Sequence, residues 1–301
     1  MKKRAALSAI LKSINTHPLA GKHRVRAYMN FIWWQVGNIF NPGAKRVAFT
    51  DKTYLVAKKG MTGATGNIYM GLHEFEDMGF LLHFLRKEDL FFDIGANVGS
   101  YMVLASGHVG CRTIAFEPIP STFDALERNI KINDISALVK AENVGVGSKK
   151  SRLIFTALND TVNHVIEGLM DNSNEKGIEV NVVAIDEIIL TNEVPALVKI
   201  DVEGFETEVL QGMKNTLSDE RLKGIIIELN GSGGRYGFDE TAIHMSLLDA
   251  GFAPYEYDPF SRKLKLLNTF GHFNTLYLRD LGFITRRLLS AEKISLFSEF
   301  F

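Results

Sequence analysis

The segment FFDIGANVGS, residues 91 to 100, decides the fold. An apolar strand end leads into the carboxylate of Asp93, and Gly95, Asn97 and Gly99 follow at alternate positions. Glycine permits backbone turns that a Cβ would block, and it lets a following helix begin close to a ligand. The segment therefore predicts a strand, a tight turn and a helix around a nucleotide-like cofactor.

The polar residues of this segment indicate the charge of the cofactor. A dinucleotide fingerprint reads G-x-G-x-x-G and directs a helix N-terminus at a pyrophosphate. In that register this chain has Asn97 and Ser100 where the second and third glycines are expected. Asp93 would repel a pyrophosphate but attract the ammonium and sulfonium groups of S-adenosylmethionine. A cationic cofactor is favoured, and a nicotinamide-dependent reductase or epimerase is the disfavoured alternative.

A second carboxylate follows at the spacing expected for ribose binding. The stretch CRTIAFEPIP, residues 111 to 120, reads as a short buried strand that ends at Glu117. An acidic side chain at the end of the second strand, about 20 residues after the glycine turn, can accept hydrogen bonds from the ribose hydroxyls. A glycine turn alone is weak evidence for a nucleotide site, but its combination with Glu117 is strong.

The chain resembles the FkbM family of S-adenosylmethionine-dependent methyltransferases. Four segments carry the resemblance: DIGANVGSY at 93 to 101, AFEP at 115 to 118, ERNIKIN at 127 to 133, and VKIDVEGFETEVLQGM at 198 to 213 with IIIEL at 225 to 229. The resemblance implies a class I methyltransferase fold, S-adenosylmethionine as cofactor and, most often, O-methylation of a sugar or natural-product hydroxyl. It does not identify the acceptor.

Short apolar runs alternate with helical patterns through the body of the chain, which predicts an α/β fold. The predicted strands are 89–94, 112–116, 138–143, 197–201 and 223–228, and the predicted helices are 99–108, 121–133, 204–217 and 239–250. Right-handed crossovers give a Rossmann-like, doubly wound, mostly parallel sheet with ligands at the carboxyl ends of its strands. Segments 253–257 and 274–278 are expected to add a C-terminal antiparallel hairpin.

We expect three regions along the 301 residues. Residues 1–60 form a basic N-terminal helical extension, residues 61–280 the catalytic domain, and residues 281–301 a C-terminal helix or tail. Within the domain, residues 150–190 contain two β-rich pieces joined by a polar stretch, which predicts an insertion or lid over the active site. The single cysteine, Cys111, cannot form an internal disulfide and suggests a reducing, cytoplasmic location.

The segment VKIDVEG predicts the second half of the site. Asp201 falls at the carboxyl end of the fourth strand and Glu203 just beyond it, where cofactor and acceptor should meet. Asp201 is therefore a candidate for both cofactor binding and catalysis. The alternative is a structural role, in which the two carboxylates cap the helix that follows. Glu228 ends the fifth strand in the same row and is a further candidate for a role in the site.

Methyl transfer to a sugar hydroxyl requires a base that removes the hydroxyl proton. The candidate bases are Asp201, Glu203 and His164, the last of which lies in the proposed lid. His73, on a predicted helix with Glu74 and Glu76, is a further candidate, although helix-surface charge is the alternative. Metal-ligand spacing is not evident, so no metal is predicted, although Glu203 and His164 could meet around a cation.

Adenine should lie between the second and third strands. The third strand ends in AENVGVG, so Glu142, Asn143 and Val144 are candidates for contacting the base. The local sequence departs from the segment often found in family members, and Asn143 and Val144 are the residues we expect to bind the cofactor here.

The N-terminal extension carries an unusual charge. Residues 1 to 60 contain twelve Lys and Arg but one acid, Asp51, while the rest of the chain is acidic. We expect Phe31, Trp33, Trp34 and Phe40 to dock on the body and residues 1–26 to be free to contact an anionic membrane. A purely structural role of the extension is the alternative. Nucleic acid is not expected as a partner, and the sequence makes no prediction of the oligomeric state.

The acceptor partner is expected to be a small molecule or glycan with a hydroxyl group. Two alternatives to an O-methyltransferase stay open at this point. One is the nicotinamide-dependent enzyme, and the other is a non-catalytic module that binds S-adenosylmethionine without turnover. The intact carboxylates at 93, 117, 201 and 203 argue against the second alternative.

Overall fold

The computed structural model describes residues 2–156, 164–165, 177–190, 193–271 and 273–301. The α-helices, in chain order, are α1 (Lys2–Thr16), α2 (Arg24–Phe40), α3 (Thr62–Met70), α4 (Phe75–Phe84), α5 (Ser100–Met102, continued by a π-helical turn over Val103–Val109), α6 (Pro120–Ile132), α7 (Ile185–Ile188), α8 (Glu206–Gln211), α9 (Lys214–Ser218), α10 (Glu240–Asp249) and α11 (Leu281–Ser290). The strands are β1 (Lys45–Ala48), β2 (Tyr54–Ala57), β3 (Leu90–Ile94), β4 (Arg112–Phe116), β5 (Val139–Glu142), β6 (Gly145–Val146), β7 (Ser151–Thr156), β8 (Gly177–Val183), β9 (Leu197–Ile200), β10 (Gly224–Glu228), β11 (Ala253–Asp258), β12 (Lys263–Leu266), β13 (Asn274–Leu278), β14 (Ser295–Leu296) and β15 (Glu299–Phe300).

A central sheet of eight strands organises the molecule. Its order is β12-β11-β13-β10-β9-β3-β4-β5, and the five strands from β10 to β5 run parallel. The chain order reverses at β3, which has β4 on one side and β9 on the other. In an open α/β sheet a ligand binds at such a switch point, outside the carboxyl ends of the strands. The predicted doubly wound, class I methyltransferase fold is therefore confirmed.

The C-terminal strands complete the sheet in antiparallel fashion. β13 lies between β10 and β11 and pairs antiparallel with both. The two expected antiparallel partners thus do pair, but they are not a simple hairpin, because β12 follows β11 and adds a further strand at the edge. The five predicted parallel strands and the helices at 121–133 and 239–250 agree with the structure to within a few residues.

The helix predicted over 204–217 is instead two helices, α8 and α9. The break has a visible cause in Asp186, which lies at the start of α7. The Asp186 backbone N–H donates to the carbonyl of Gly212, and its carboxylate accepts from the backbone N–H groups of Asn215 and Thr216 at 2.7 and 3.1 Å. Because these groups are satisfied from outside the helix, α9 begins anew.

The sheet is buried on both faces, as its continuous apolar strands require. All five residues of β3 are buried. On one face the strands pack against α4 and the helix after β3, and on the other against α8 to α10. This double layer fixes the strand ends, and therefore the residues that follow them, in place.

The N-terminal extension is folded onto the body, and the expectation that residues 1–26 are free is wrong. Ile14 and Leu19 are fully buried, and Trp34 is 6% exposed. Trp33 and Phe40, which were also expected to dock, are 70% and 84% exposed. A helix can bury only one of its faces, and α2 buries the face opposite these two residues.

The 150–190 region contains a small sheet of its own. β7 pairs antiparallel with β8, and β6 pairs parallel with β8, which confirms the two predicted β-rich pieces. Residues 157–163 and 166–176 lie outside the described structure. At the other end of the chain, α11 is followed by the β14–β15 hairpin, and Phe301 packs against the ring of Phe75 with centroids 5.0 Å apart.

No helix among the described residues is both long and apolar enough to cross a membrane.

Candidate active site

A cavity of about 380 Å³ opens at the carboxyl ends of β3, β4, β9 and β10. Its walls come from the turn after β3, the ends of the neighbouring strands and the segment before α4. The charged residues that line it are His73, Glu74, Asp93, Glu117, Lys199, Asp201, Glu203 and Glu228. The topological switch point and the deepest group of ionisable side chains therefore coincide.

Glycine is required where the turn after β3 meets the end of β9. Gly95 has φ +77°, and a Cβ at this position would overlap the carbonyl oxygen of Asp201. Gly99 has φ +83° and precedes the first residue of α5, where a Cβ would meet the Met102 side chain. Both positions need the left-handed backbone that glycine adopts at low cost. Gly95 and Asn97 line the cavity, whereas Gly99 shapes the turn without lining it.

Asp93 lies at the base of the cavity and is 1% exposed. One carboxylate oxygen accepts a hydrogen bond from the backbone N–H of Met102 at 3.0 Å, which ties the strand to the first turn of α5. Burial raises the pKa of Asp93 to about 6, and the charge of Lys199 opposes this rise. A cationic ligand would favour the ionised form further.

Glu117 links the turn after β3 to the turn after β4. Its oxygens accept hydrogen bonds from the backbone N–H groups of Asn97 and Ile119, each at 2.9 Å. Burial raises its pKa to about 7, although these two bonds lower it. Each carboxylate oxygen can accept a second hydrogen bond, so a ribose hydroxyl can still be bound by Glu117.

The adenine candidates divide. Val144 lines the cavity beside Glu117 and Ile119. The Asn143 side chain is directed elsewhere and donates to the carbonyl oxygens of Glu117 and Pro118 at 2.8 and 3.1 Å. Asn143 is not among the described residues that line the cavity. Its hydrogen bonds instead hold the end of β5 against the turn after β4.

Lys199 also lines the cavity, although the sequence motifs did not predict it. It stands in the buried strand LVKI, 4% exposed, and its Nζ lies 2.7 Å from Oδ2 of Asp201. Burial disfavours the charge of Lys199, but Asp201, Glu74 and Asp93 raise its pKa above the ordinary value. The signal was a lysine inside an otherwise apolar strand, two residues before an acid on the same side of the strand.

Three carboxylates lie close together at the carboxyl ends of β9 and β10. Asp201, Glu203 and Glu228 each place an oxygen within 4.8 Å of the other two. Burial, together with the charges of Asp201 and Glu206, raises the pKa of Glu203 to about 7. Burial, together with Asp201 and Glu203, raises the pKa of Glu228 to about 8. Such a group can hold protons near neutral pH, and its spacing would also suit a divalent cation, which the sequence did not predict.

The helix-capping alternative for Asp201 and Glu203 is not what the structure shows. α8 begins at Glu206, and it is the Glu206 carboxylate that accepts from the backbone N–H groups of Val202 and Gly204, both at 3.2 Å. Asp201 pairs with Lys199 instead. Glu203 has φ +55°, an uncommon backbone for a glutamate, and its side chain lines the cavity.

The segment before α4 contributes a second wall. The hydroxyl of Tyr101 donates to Glu74 at 2.7 Å, and the Asn274 side-chain amide donates to Glu74 at 2.9 Å and to Asp77 at 3.0 Å. His73 lines the same wall. The region around His73, which the sequence marked only as a minor candidate, therefore borders the site.

His164 lies outside the cavity wall formed by the described residues. Its backbone N–H donates to the hydroxyl of Thr156 at 3.1 Å, and its carbonyl accepts from the Thr156 N–H at 2.9 Å. The neighbouring Val165 bridges Phe155, whose ring does line the cavity. The structure thus brings Asp201 and Glu203 together but does not bring His164 to them.

The cavity suits a cationic nucleoside. Among the described residues, six carboxyl groups and one lysine, Lys199, line it; the carboxyl groups are those of Glu74, Asp93, Glu117, Asp201, Glu203 and Glu228. Several of them have raised pKa values because burial and mutual repulsion penalise their charge. A ligand with ammonium and sulfonium groups relieves that repulsion, whereas a pyrophosphate would add to it.

The fold and this site define a class I methyltransferase. The Methyltransferase FkbM domain matches residues 93–254, which contain the glycine turn, Glu117 and the Asp201–Glu203 pair. The chain belongs to the FkbM methyltransferase family, and its cofactor is S-adenosylmethionine.

Two curated relatives match this chain over about half of its length. The hexuronic acid methyltransferase AglP of Haloferax volcanii is 31% identical over 152 residues, which cover 50% of this chain and 59% of that protein. The 31-O-demethyl-FK506 methyltransferase FkbM of Streptomyces tacrolimicus is 29% identical over 196 residues, covering 54% of this chain and 74% of that protein.

Among solved structures, the precorrin-6Y C5,15-methyltransferase of Geobacter metallireducens aligns with 74% of this chain and 93% of its own, at 14% identity and a TM-score of 0.40. The protein PH0793 of Pyrococcus horikoshii aligns with 85% of this chain and 82% of its own, at 10% identity and a TM-score of 0.43.

Proposed function

We propose that the protein transfers the methyl group of S-adenosylmethionine to a hydroxyl oxygen of a sugar, glycan or glycolipid. The observation that carries the proposal is the position of Glu203, a carboxylate with a pKa near 7 beside the cofactor-binding residues. The named activity of AglP on a hexuronic acid supports a sugar acceptor, and the name of the FkbM relative supports transfer to oxygen.

The cofactor would be held by the carboxylates at the switch point. In this proposal Glu117 accepts hydrogen bonds from the ribose hydroxyls, Val144 covers the adenine, and Asp93 attracts the positive charges. When bound, S-adenosylmethionine supplies an electrophilic methyl group. The walls of the cavity orient the acceptor and exclude water, which would otherwise compete with the acceptor hydroxyl.

Glu203 is the general base of the proposal. A sugar hydroxyl attacks well only as its proton leaves, and a base with a pKa near the working pH is the most effective acceptor. Asp201 is less suited to this step, because its ion pair with Lys199 already occupies one of its carboxylate oxygens. Asp201 acts instead by raising the pKa of Glu203 and, through its ion pair with Lys199, by holding the carboxyl end of β9 in place.

The spacing of Asp201, Glu203 and Glu228 favours a second role for the same cluster. A divalent cation bound there would orient the acceptor hydroxyl and lower its pKa, without any proton transfer to Glu203. The two roles differ in what a chelator does to the activity, so one assay can separate them.

The test is transfer of a labelled methyl group from S-adenosylmethionine to a panel of uronic acids, neutral sugars and sugar-containing lipids. We expect one acceptor class to gain 14 Da, and Glu203→Gln to lower turnover by about 10²- to 10⁴-fold while leaving the affinity for S-adenosylhomocysteine within about threefold. Glu256→Gln is the matched control, because this glutamate is exposed and pairs with Lys265 on the edge strand.

Three outcomes would revise the proposal. Loss of turnover with a chelator, restored by Mg²⁺, would assign the cluster to a cation. Tight binding of S-adenosylhomocysteine with no turnover on any acceptor would support the non-catalytic module. Calorimetric binding of NAD in place of S-adenosylhomocysteine would support the nicotinamide-dependent alternative.

A further inference from the structure

One face of α2 is apolar and exposed along its whole length. At 100° per residue its seven exposed apolar side chains fall within an arc of about 120°, and no charged residue lies among them. They are Val25, Met29, Ile32, Trp33, Val36, Ile39 and Phe40. We call this set the α2 face.

The opposite side of the helix is firmly attached to the body. Ala27, Trp34 and Asn38 are buried there. The Asn30 side chain donates to the carbonyl of Ile68 at 3.1 Å, and the ring of Phe31 packs edge-on against Tyr69. The exposure of the α2 face is therefore a fixed feature of the surface. Soluble proteins rarely expose contiguous apolar patches of this kind without a partner.

Positive charge flanks the α2 face at both ends. Arg24 and Arg26 lie in its first turn, and Lys45 and Arg46 follow its last. Among the described residues, no ion pair joins any of these four to a carboxylate. Residues 1 to 50 contain nine Lys and Arg and no acid.

A groove beside the α2 face continues this chemistry. It measures about 800 Å³ and is lined by Arg26, Trp33, Lys45 and Arg46 among others. Trp33 belongs to both the face and the groove. Apolar side chains and basic groups thus lie side by side, as they do in helices that rest at a membrane surface.

We propose that the α2 face docks on an anionic lipid bilayer, with its apolar side chains in the acyl boundary and the four flanking basic residues among the headgroups. Charge decides between this occupant and a second copy of the chain. A two-fold dimer through α2 would bring two acid-free basic segments together, whereas anionic lipids neutralise them. The helix lies in the plane of the membrane and does not cross it, consistent with its fixed attachment to the body.

The experiment uses the full chain and vesicles of phosphatidylcholine with 30% phosphatidylglycerol, compared with pure phosphatidylcholine. We expect flotation with the anionic vesicles, reduced by high salt, and at least about a tenfold loss of partitioning for Ile32→Glu. Met245→Glu is the matched control, because Met245 is 51% exposed on α10 and Ile32 is 56% exposed on α2. Thermal melting verifies that both variants fold.

The two tryptophans provide an independent readout. Trp33 is 70% exposed and Trp34 is 6% exposed. In the Trp34→Phe variant the fluorescence emission of the remaining Trp33 should shift to shorter wavelength when anionic vesicles are added. Brominated lipid in those vesicles should quench this emission. In Trp33→Phe the emission of Trp34 should change little.

Several results would overturn the proposal. They are the absence of flotation, equal flotation with neutral and anionic vesicles, and unchanged partitioning of Ile32→Glu. Sedimentation that shows a dimer dissociated by Ile32→Glu would assign the α2 face to a second copy of the chain instead.

Discussion

The ammonium of Lys199 lies 2.7 Å from the carboxylate of Asp201, and the two residues stand on the same side of β9 at the mouth of the cavity. Lys199 is buried, so its charge acts at short range on neighbouring carboxylates. It lowers the pKa values of Asp93, Glu203 and Glu228, all of which burial raises. One lysine therefore opposes the effect of burial at three carboxylates of the site.

Replacement of this lysine should move the pH profile of the enzyme. In Lys199→Met the pKa of Glu203 should rise above its value of about 7, because an opposing positive charge is lost. The base must be deprotonated to act, so the rising limb of turnover against pH should shift to higher pH. Lys199→Arg keeps the charge and should restore the parental limb. The same limb in Lys199→Met and the parent would contradict this assignment.

Loss of the cofactor carboxylates should weaken binding of S-adenosylmethionine. Asp93→Asn and Glu117→Gln each remove a charge-assisted contact worth about 1.5 to 3 kcal/mol, or roughly 10- to 150-fold in affinity. Glutamine is preferred to alanine at 117, because its carbonyl oxygen can keep one of the two backbone hydrogen bonds that Glu117 accepts. Calorimetry measures the affinity, and unchanged binding in both variants would remove the basis of the cofactor contacts.

Much of the binding half of the site could be predicted from the sequence, because its constraints are local. The glycine turn needs a backbone that only particular residues adopt, and Glu117 ends the next strand at a fixed distance. The Asp201–Glu203 pair follows from the same logic of strand ends. These features lie within a few residues of the motifs that encode them.

The other wall could not be predicted, because its contacts are remote in the chain. Tyr101 meets Glu74 across 27 residues, and Asn274 meets Glu74 across 200. Asn143 shows the reverse problem. It stands at the expected strand end, but its side chain donates to nearby carbonyls, and only the fold determines that direction. The burial of Ile14, Leu19 and Trp34 depends likewise on which face of each helix meets the body.

The turn at Gly95 should tolerate no side chain. In Gly95→Ala the new methyl would overlap the Asp201 carbonyl at a positive φ, which should lower the free energy of unfolding by about 2 kcal/mol or more and abolish cofactor binding. Gly234→Ala is the matched control, because a Cβ there meets nothing within 4 Å. Denaturant unfolding measures both, and equal midpoints for Gly95→Ala and the parent would refute the tight contact.

The half-buried carboxyl of Glu228 should make stability depend on pH. One of its oxygens, Oε2, has no hydrogen-bond partner among the described residues, and burial raises its pKa to about 8. In the unfolded chain its pKa returns to about 4.3. The folded state therefore binds the proton more tightly, so the stability this group contributes is full below about pH 4 and is lost as pH rises toward about 8.

Glu228→Gln removes this dependence, because the amide is neutral at every pH. Relative to the parent, the variant should gain about 1 to 3 kcal/mol of unfolding free energy between pH 5 and pH 9, a range discounted from the full shift because water reaches the cavity. The exposed Glu256→Gln should show no such gain. Urea unfolding at a series of pH values measures the difference, and a Glu228→Gln curve parallel to that of the parent across the range would show that Glu228 ionises normally in the folded protein.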